Sequence, residues 1–338
     1  MTVSIKGIGW QLPDMQPSPE KPADRSIPAL VHQAVKACVD DARLAMSAID
    51  AVVTASVDLW DGKTASNIAV TEAVGATMRA ETRIAGDGLL ALIHGAMMLL
   101  SGHYRRVLVV AHGKCSEADV DALSNWSFDP VYQQTLHLTD TQALALQSQA
   151  VAARAEARWS AEHAADFLRA MAAGGAEGKL APQGDGACAV IIEAGDGDVT
   201  LTGFGYDLDA HYLGDRCLSR CEGLQRATRR ACRMAGLAKP QREIARHYWS
   251  LRTAWQLPLW AEAAGSWTFA EGPAALQDGR HRLQWAGLPP FAAGLQRLIA
   301  AVKDLRESPG SALSLVQGCH GAAGQAQAVC LLHGRGGR

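Results

Sequence analysis

Short apolar runs of strand character alternate with helix-spaced segments twice along this chain, and that rhythm restricts it to an α/β sheet with helices on its faces. "SIKGIGW" opens the first series, "AVVTASV" (51–57) follows a helical segment, and "RVLVVAH" (106–112) follows another. The intervening "IPALVHQAVKACVDDARL" and "LLALIHGAMMLLSG" carry apolar residues at helical spacing. "VLVV" lacks alternation, which suits a strand covered on both faces. A stretch of Ala-, Gln- and Arg-rich helices then interrupts the pattern and ends in the glycine-rich "AAGGAEGKLAPQGDG", read as a linker. The rhythm restarts with "ACAVIIEA", "DVTLTGFGYD", the helix "GLQRATRRACRMAGL" and the short strand "IARHYWS", and closes with "FAAGLQRLIAAVKDL", "ALSLVQG" and "QAQAVCLLH". The division expected is 1–120, an inserted helical segment 121–182, and 183–338.

The bulk numbers exclude more than they assign. In 338 residues, 48% are hydrophobic and 20% charged, with a formal net charge of −2, so neither nucleic acid nor an anionic membrane is an expected partner. "MTVSIKGIGW" alternates like a strand rather than a signal peptide, and no apolar run is long enough for a membrane span. A cytoplasmic protein is expected. The eight cysteines show no disulfide spacing. Cys217 and Cys221 in "CLSRC" have no matching second pair for zinc, so no metal is expected, and both should lie on a surface or half-buried segment. "AGDG" does not meet G-x-G-x-x-G, and "GDGD" (195–198) reads as a turn.

Four stretches resemble the thiolase superfamily, especially the sterol-carrier-protein-type thiolases and related acetyl-CoA acetyltransferases. They are "AGDGLLALIHGAMMLLSGHYRRVLVVAHGKCSE", "SFDPVYQQTLHL", "GDGACAVIIEA" and "AGLPPFAAGLQRLIAAVKDL". The resemblance implies the thiolase fold: two βαβαβαββ-type halves stacked as five layers (α-β-α-β-α), with a loop domain inserted in the first. It also implies acyl-thioester chemistry. In that family a cysteine at a strand-to-helix turn takes the acyl group, a Gly-His-Pro histidine activates it, and a second cysteine in Cys-x-Gly moves a proton.

Placed on this chain, the nucleophile turn is Ala85-Gly86-Asp87-Gly88, and Gly-His-Pro is Gly287-Leu288-Pro289. Ala85 and Leu288 are thus degenerate catalytic positions, since a methyl and an isobutyl group neither form a thioester nor relay a proton. Cys-x-Gly persists as Cys319-His320-Gly321, which makes Cys319 and His320 the remaining catalytic candidates. Asp87, Gly88, Phe291 and Ser250 are pocket-lining candidates, Phe291 replacing a glycine and narrowing the approach. Asp87 reads as a helix N-cap first and a general base second. Cys319 and His320, adjacent on a strand, should face opposite ways unless a turn intervenes. Tyr248 reads as a member of an aromatic cluster with Trp249 and Trp255, and the arginines of "ATRRACRM" as a solvated face ahead of a phosphate-binding one.

The function this implies is a catalytically degenerate subunit paired with an active thiolase- or ketosynthase-like homologue. The alternatives are an acyltransferase or carbon–carbon lyase using Cys319 and His320, and a standalone acyl-CoA binder. No cofactor is implied, with a coenzyme A thioester as ligand. The partners implied are a second copy or a cysteine-bearing thiolase-fold homologue, and a small acyl-CoA-binding or carrier protein.

Overall fold

In the computed structural model, residues 2–11, 26–57, 66–116, 119–173, 184–270, 279–283, 290–308 and 310–335 are described. Ten strands make one mixed sheet: β1 (Val3–Gln11), β2 (Ala51–Ala55), β3 (Ala80–Ile84), β4 (Arg106–Gly113), β5 (Gly186–Ala194), β6 (Val199–Leu208), β7 (Arg246–Tyr248), β8 (His281–Arg282), β9 (Ala312–His320) and β10 (Ala326–Gly334). The helices used below are α1 (Ile27–Ala42), α2 (Gly88–Leu100), α3 (Val120–Trp126), α4 (Asp140–Glu156), α5 (Ala161–Ala173), α6 (Glu222–Met234), α7 (Gln256–Ala263) and α8 (Ala293–Glu307).

The strand order β3-β2-β4-β5-β1-β6-β10-β9-β7-β8 is a duplication. Adding five to each label of the first half and reversing the order reproduces the second. The halves meet where β1 and β6 pair antiparallel, Val3 opposite Leu201 and Ser4 opposite Thr200. Within each half the last strand runs antiparallel to its neighbours while the crossover strands are parallel. The crossovers carry the helices, as parallel pairing requires.

Three apolar clusters give the layers. The central one joins Leu89, Leu92 and Leu99 of α2 with Leu295, Leu298 and Val302 of α8 and strand residues of both halves. An outer cluster sets Leu30, Ala34 and Cys38 of α1 on Val52, Leu108 and Val110. Another sets Leu224 and Ala227 of α6 and Trp260 of α7 on Leu315, Val329 and Leu331. The result is the expected α-β-α-β-α stack. Each fully buried leucine or valine contributes about 1.5–3 kcal/mol. The central helix α2 is apolar on nearly all sides, whereas α6 keeps its arginines outward, Arg226 pairing with Asp207, Asp209 and Glu222.

The duplication has a mark in the sequence. "GIG" in β1 and "GFG" in β6 occupy equivalent places. A Cβ on Gly9 would lie 2.2 Å from the Ala34 carbonyl oxygen of α1, and one on Gly205 2.0 Å from the Ala227 carbonyl oxygen of α6. In each half the helix backbone rests directly on the first strand.

Two expectations need correction. Tyr248 is not clustered with Trp249 and Trp255, because alternate strand residues face opposite layers. Tyr248 belongs to the central layer, its hydroxyl donating to Asp304 Oδ2 at 2.5 Å. Trp249 belongs to the outer layer and donates from Nε1 to His281 Nδ1 at 3.0 Å, while Trp255 stacks on Trp159. Cys217 is exposed as expected, but Cys221 is buried, since it sits at the N-terminus of α6 beneath the outer cluster.

Candidate functional site

The chain turns from β3 into α2 through Ala85 and Gly86, and this turn forms one wall of a 350 Å³ cavity. The end of β9, Cys319 and His320, with Gly321 after them, forms the adjoining wall. Phe128 and Leu144, from the segment between β4 and β5, and Val57, Leu251 and Phe291 make most of the remaining surface apolar. Such a cavity, mostly apolar with a few convergent polar groups, suits a small organic ligand.

Ala85 is exposed into this space, so a methyl group stands at the strand-to-helix turn. Asp87 follows, only 1% exposed. Its Oδ1 accepts from Leu89 N at 2.9 Å and makes it the N-cap of α2. Its Oδ2 accepts from Gly294 N at 3.0 Å, the second residue of α8, whose own N-cap residue Ala292 offers no side-chain acceptor. One carboxylate therefore caps two helices, one from each half. The space for it exists because Gly294 and Gly318 lack side chains: a Cβ there would sit 2.1 and 2.3 Å from Oδ1.

Burial pushes the Asp87 carboxyl up to about 7, against the two backbone N–H bonds that hold it lower. The folded chain therefore keeps a proton that the unfolded chain releases near pH 3.8. The contribution of this group to stability falls as pH rises from about 4 to 7. The stability difference between the wild-type chain and Asp87→Asn should shift against the wild type by about 2 kcal/mol between pH 5 and 7.5, at 1.36 kcal/mol per unit. Urea unfolding at the two pH values measures it. A flat or rising difference would show that the carboxylate is ionised throughout.

His320 faces the turn. Asp87 N donates to its Nδ1 at 3.4 Å, and the ring stacks on Tyr206 with centroids 6.2 Å apart. Gly86 makes room for it, since a Cβ there would be 2.8 Å from the ring. Burial pulls the imidazole down to about 4, so it is neutral at physiological pH with its proton on Nε2. Cys319 points to the other face of β9, as alternation requires. Its Sγ lies 4.0 Å from the Ser250 carbonyl oxygen, and burial followed by the Asp87 charge raises its thiol well above the ordinary range. Cys319 and His320 thus share the cavity without forming a thiolate–imidazole pair.

Ser250 lines the cavity, donating from Oγ to the Gln317 carbonyl at 2.9 Å and from its backbone N–H to Gln317 Oε1 at 3.0 Å. Phe291 also lines it, in the left-handed region at φ 62°, and its carbonyl accepts from Gly88 N at 2.6 Å. Gly88 lies behind the wall rather than on it: a Cβ there would meet Ala111 Cβ at 2.6 Å. Leu288 falls outside the described residues.

An ion pair without a local sequence signature also lines the cavity, Arg252 Nη1 to Asp140 Oδ2 at 3.0 Å. Burial raises the Asp140 carboxyl and the arginine opposes that shift. The two residues are 112 apart in sequence, so only the N-terminal position of Asp140 on α4 left a trace, and that reads as an ordinary first-turn acid.

Neither a protein-family model nor a curated protein matches the chain. Solved structures do. An Ltp2-ChsH2(DUF35) aldolase aligns over 98% of this chain and 98% of its own, at 15% identity and TM-score 0.70. A monomeric SCP2-thiolase-like protein type 1 from Mycobacterium smegmatis aligns over 98% of this chain and 77% of its own, at 16% identity and TM-score 0.68. The 3-oxoacyl-[acyl-carrier-protein] synthase III from Aquifex aeolicus VF5 aligns over 98% and 99%, at 17% identity and TM-score 0.58. These likenesses, with the duplicated sheet and its five layers, show that the chain has a thiolase-like fold.

Proposed function

We propose that this chain is a non-nucleophilic thiolase-like subunit in acyl-thioester metabolism: it holds the acyl part of a coenzyme A or carrier thioester and pairs with a cysteine-bearing thiolase-fold homologue. The observation that carries the reading is the turn before α2, where Ala85 presents a methyl group to the cavity while the nearby thiol of Cys319 is raised and meets no base among the described residues. The apolar lining from Phe128, Leu144 and Leu251 accommodates an acyl chain. The pairing surface is the edge of β3, which is bonded to β2 alone among the described strands, together with the exposed Met97 and Leu100 of α2, which packs against β3. The name of the Ltp2-ChsH2(DUF35) aldolase joins two components.

Purification of the tagged chain from its native host should bring down a thiolase-fold protein with an intact cysteine in a fixed ratio. Met97→Glu with Leu100→Glu should reduce recovery at least tenfold. A chain recovered only alone or as a homodimer would overturn the pairing.

A second reading, a carbon–carbon lyase or acyltransferase, draws on His320. Its Nε2–H can donate to a substrate carbonyl. That reading requires turnover of an acyl-CoA by the isolated chain, lost in His320→Ala. Acyl-CoA affinity with neither partner nor turnover would favour a simple binder.

A further inference from the structure

We infer that the outer face of the loop between Asn125 and Leu138 is a docking surface for a different protein, one whose contact face has an apolar centre ringed by lysine and arginine. This surface belongs to the segment between β4 and β5 rather than to β3 or α2, and does not depend on pairing there.

The loop is apolar on both sides. Inward, Phe128 packs on Ala143, Leu213 and Ala323 and lines the cavity. Outward, Trp126, Val131, Tyr132 and Leu136 are 64%, 64%, 69% and 67% exposed. Four large apolar side chains displayed within eleven positions exceed the scatter expected of a free surface.

They are displayed on a fixed frame. Asp129 Oδ1 accepts from the N–H groups of Val131 at 3.0 Å and Tyr132 at 2.7 Å. Gln134 Nε2 donates to the carbonyls of Trp126 at 3.1 Å and Phe128 at 2.8 Å, and Asn125 Nδ2 closes the loop on the Leu138 carbonyl at 2.8 Å. Tyr132 meets Tyr212 edge-on at 6.3 Å, extending the patch onto the neighbouring turn. Ordering these groups before contact lowers the entropy lost on binding. Aromatic anchors of this kind carry most of the affinity of protein interfaces.

Charge selects the occupant. Between Lys114 and Arg154 the sequence has no lysine or arginine but five carboxylates: Glu117, Asp119, Asp121, Asp129 and Asp140. Asp140 is consumed by Arg252, whereas Asp121 is exposed and Asp129 half-exposed. Asp215, exposed on the turn after Tyr212, borders the patch and shares a small cavity with the exposed Arg220, while its neighbour Arg216 turns inward to the Ala322 carbonyl. A second copy docked by the same face would set acid rim against acid rim. A basic-rimmed partner gains where self-pairing loses.

The test isolates the tagged full chain from native cells at low salt and footprints Trp126 and Tyr132 by hydroxyl radical, in the complex and in the free chain. The proposal expects one protein in fixed ratio, with both side chains protected at least threefold. Trp126→Ser/Tyr132→Ser/Leu136→Ser and, separately, Asp121→Lys/Asp215→Lys should each weaken binding at least tenfold. Raising the salt from 50 to 300 mM should weaken it too. All five positions are exposed, and unchanged thermal unfolding confirms that the variants fold. Met97→Glu with Leu100→Glu should leave this complex intact, which separates it from pairing at β3. Side chains left open in every recovered complex, a chain recovered alone, binding indifferent to the charge reversal, or a self-dimer dissolved by the serine variant would each overturn it.

Discussion

Gly294→Ala should destabilise the protein by about 3 kcal/mol, although alanine inside a helix ordinarily gains about 1 kcal/mol over glycine. The added Cβ would lie 2.1 Å from Asp87 Oδ1 and 3.0 Å from Gly318 Cα, so the carboxylate has to leave. Its departure orphans the buried N–H groups of Leu89 and Gly294, each costing about 1–3 kcal/mol. The sum exceeds the propensity gain, so the sign reverses. In an Asp87→Ala background the carboxylate is gone and only the 3.0 Å approach to Gly318 Cα remains, so the same substitution should cost less than half as much. Urea unfolding of the two singles and the double closes the cycle. Stabilisation by Gly294→Ala in the wild-type background would show that the carboxylate can move freely and that the two halves do not share a cap.

Asp87 also bears on the proposed inertness of this turn. A cysteine at a helix N-terminus draws its reactivity from the positive end of the helix. Here the amides at that end already serve a carboxylate, and burial followed by its charge raises the thiols of Cys188, Cys319 and Cys330. Ala85→Cys alone should therefore give a sluggish thiol at pH 8. Combining Ala85→Cys with Asp87→Ser should speed alkylation by iodoacetamide about tenfold or more, the equivalent of one pKa unit. Serine still offers an oxygen to cap α2. Equal rates in the single and double variants would remove Asp87 from this account.

Much of the fold was legible because hydrophobic periodicity reports layers directly. "VLVV" reads as a doubly covered strand, and Val107 to Val110 are buried against helices on both faces. The N-cap role of Asp87 was legible as well, being local to one turn. Its second bond, to Gly294 207 residues away, was not, since no local pattern encodes a contact between halves. The same holds for Asp140 with Arg252. Tyr248 was misplaced for a different reason: adjacency in "HYWS" suggested a cluster, but strand alternation sends Tyr248 and Trp249 into different layers. The duplicated Gly-x-Gly of β1 and β6 was visible in the sequence, yet its meaning depends on the helix backbone that each strand carries.

Under the proposed function the chain forms no acyl-enzyme of its own. The most direct test is intact-mass spectrometry of the wild-type protein after incubation with acetyl-CoA and a longer acyl-CoA at pH 8, with peptide mapping of any adduct. An unchanged mass is expected, because Ala85 has no nucleophile and the thiol of Cys319 is raised and meets no base among the described residues. An acyl group mapped to Cys319 would contradict it.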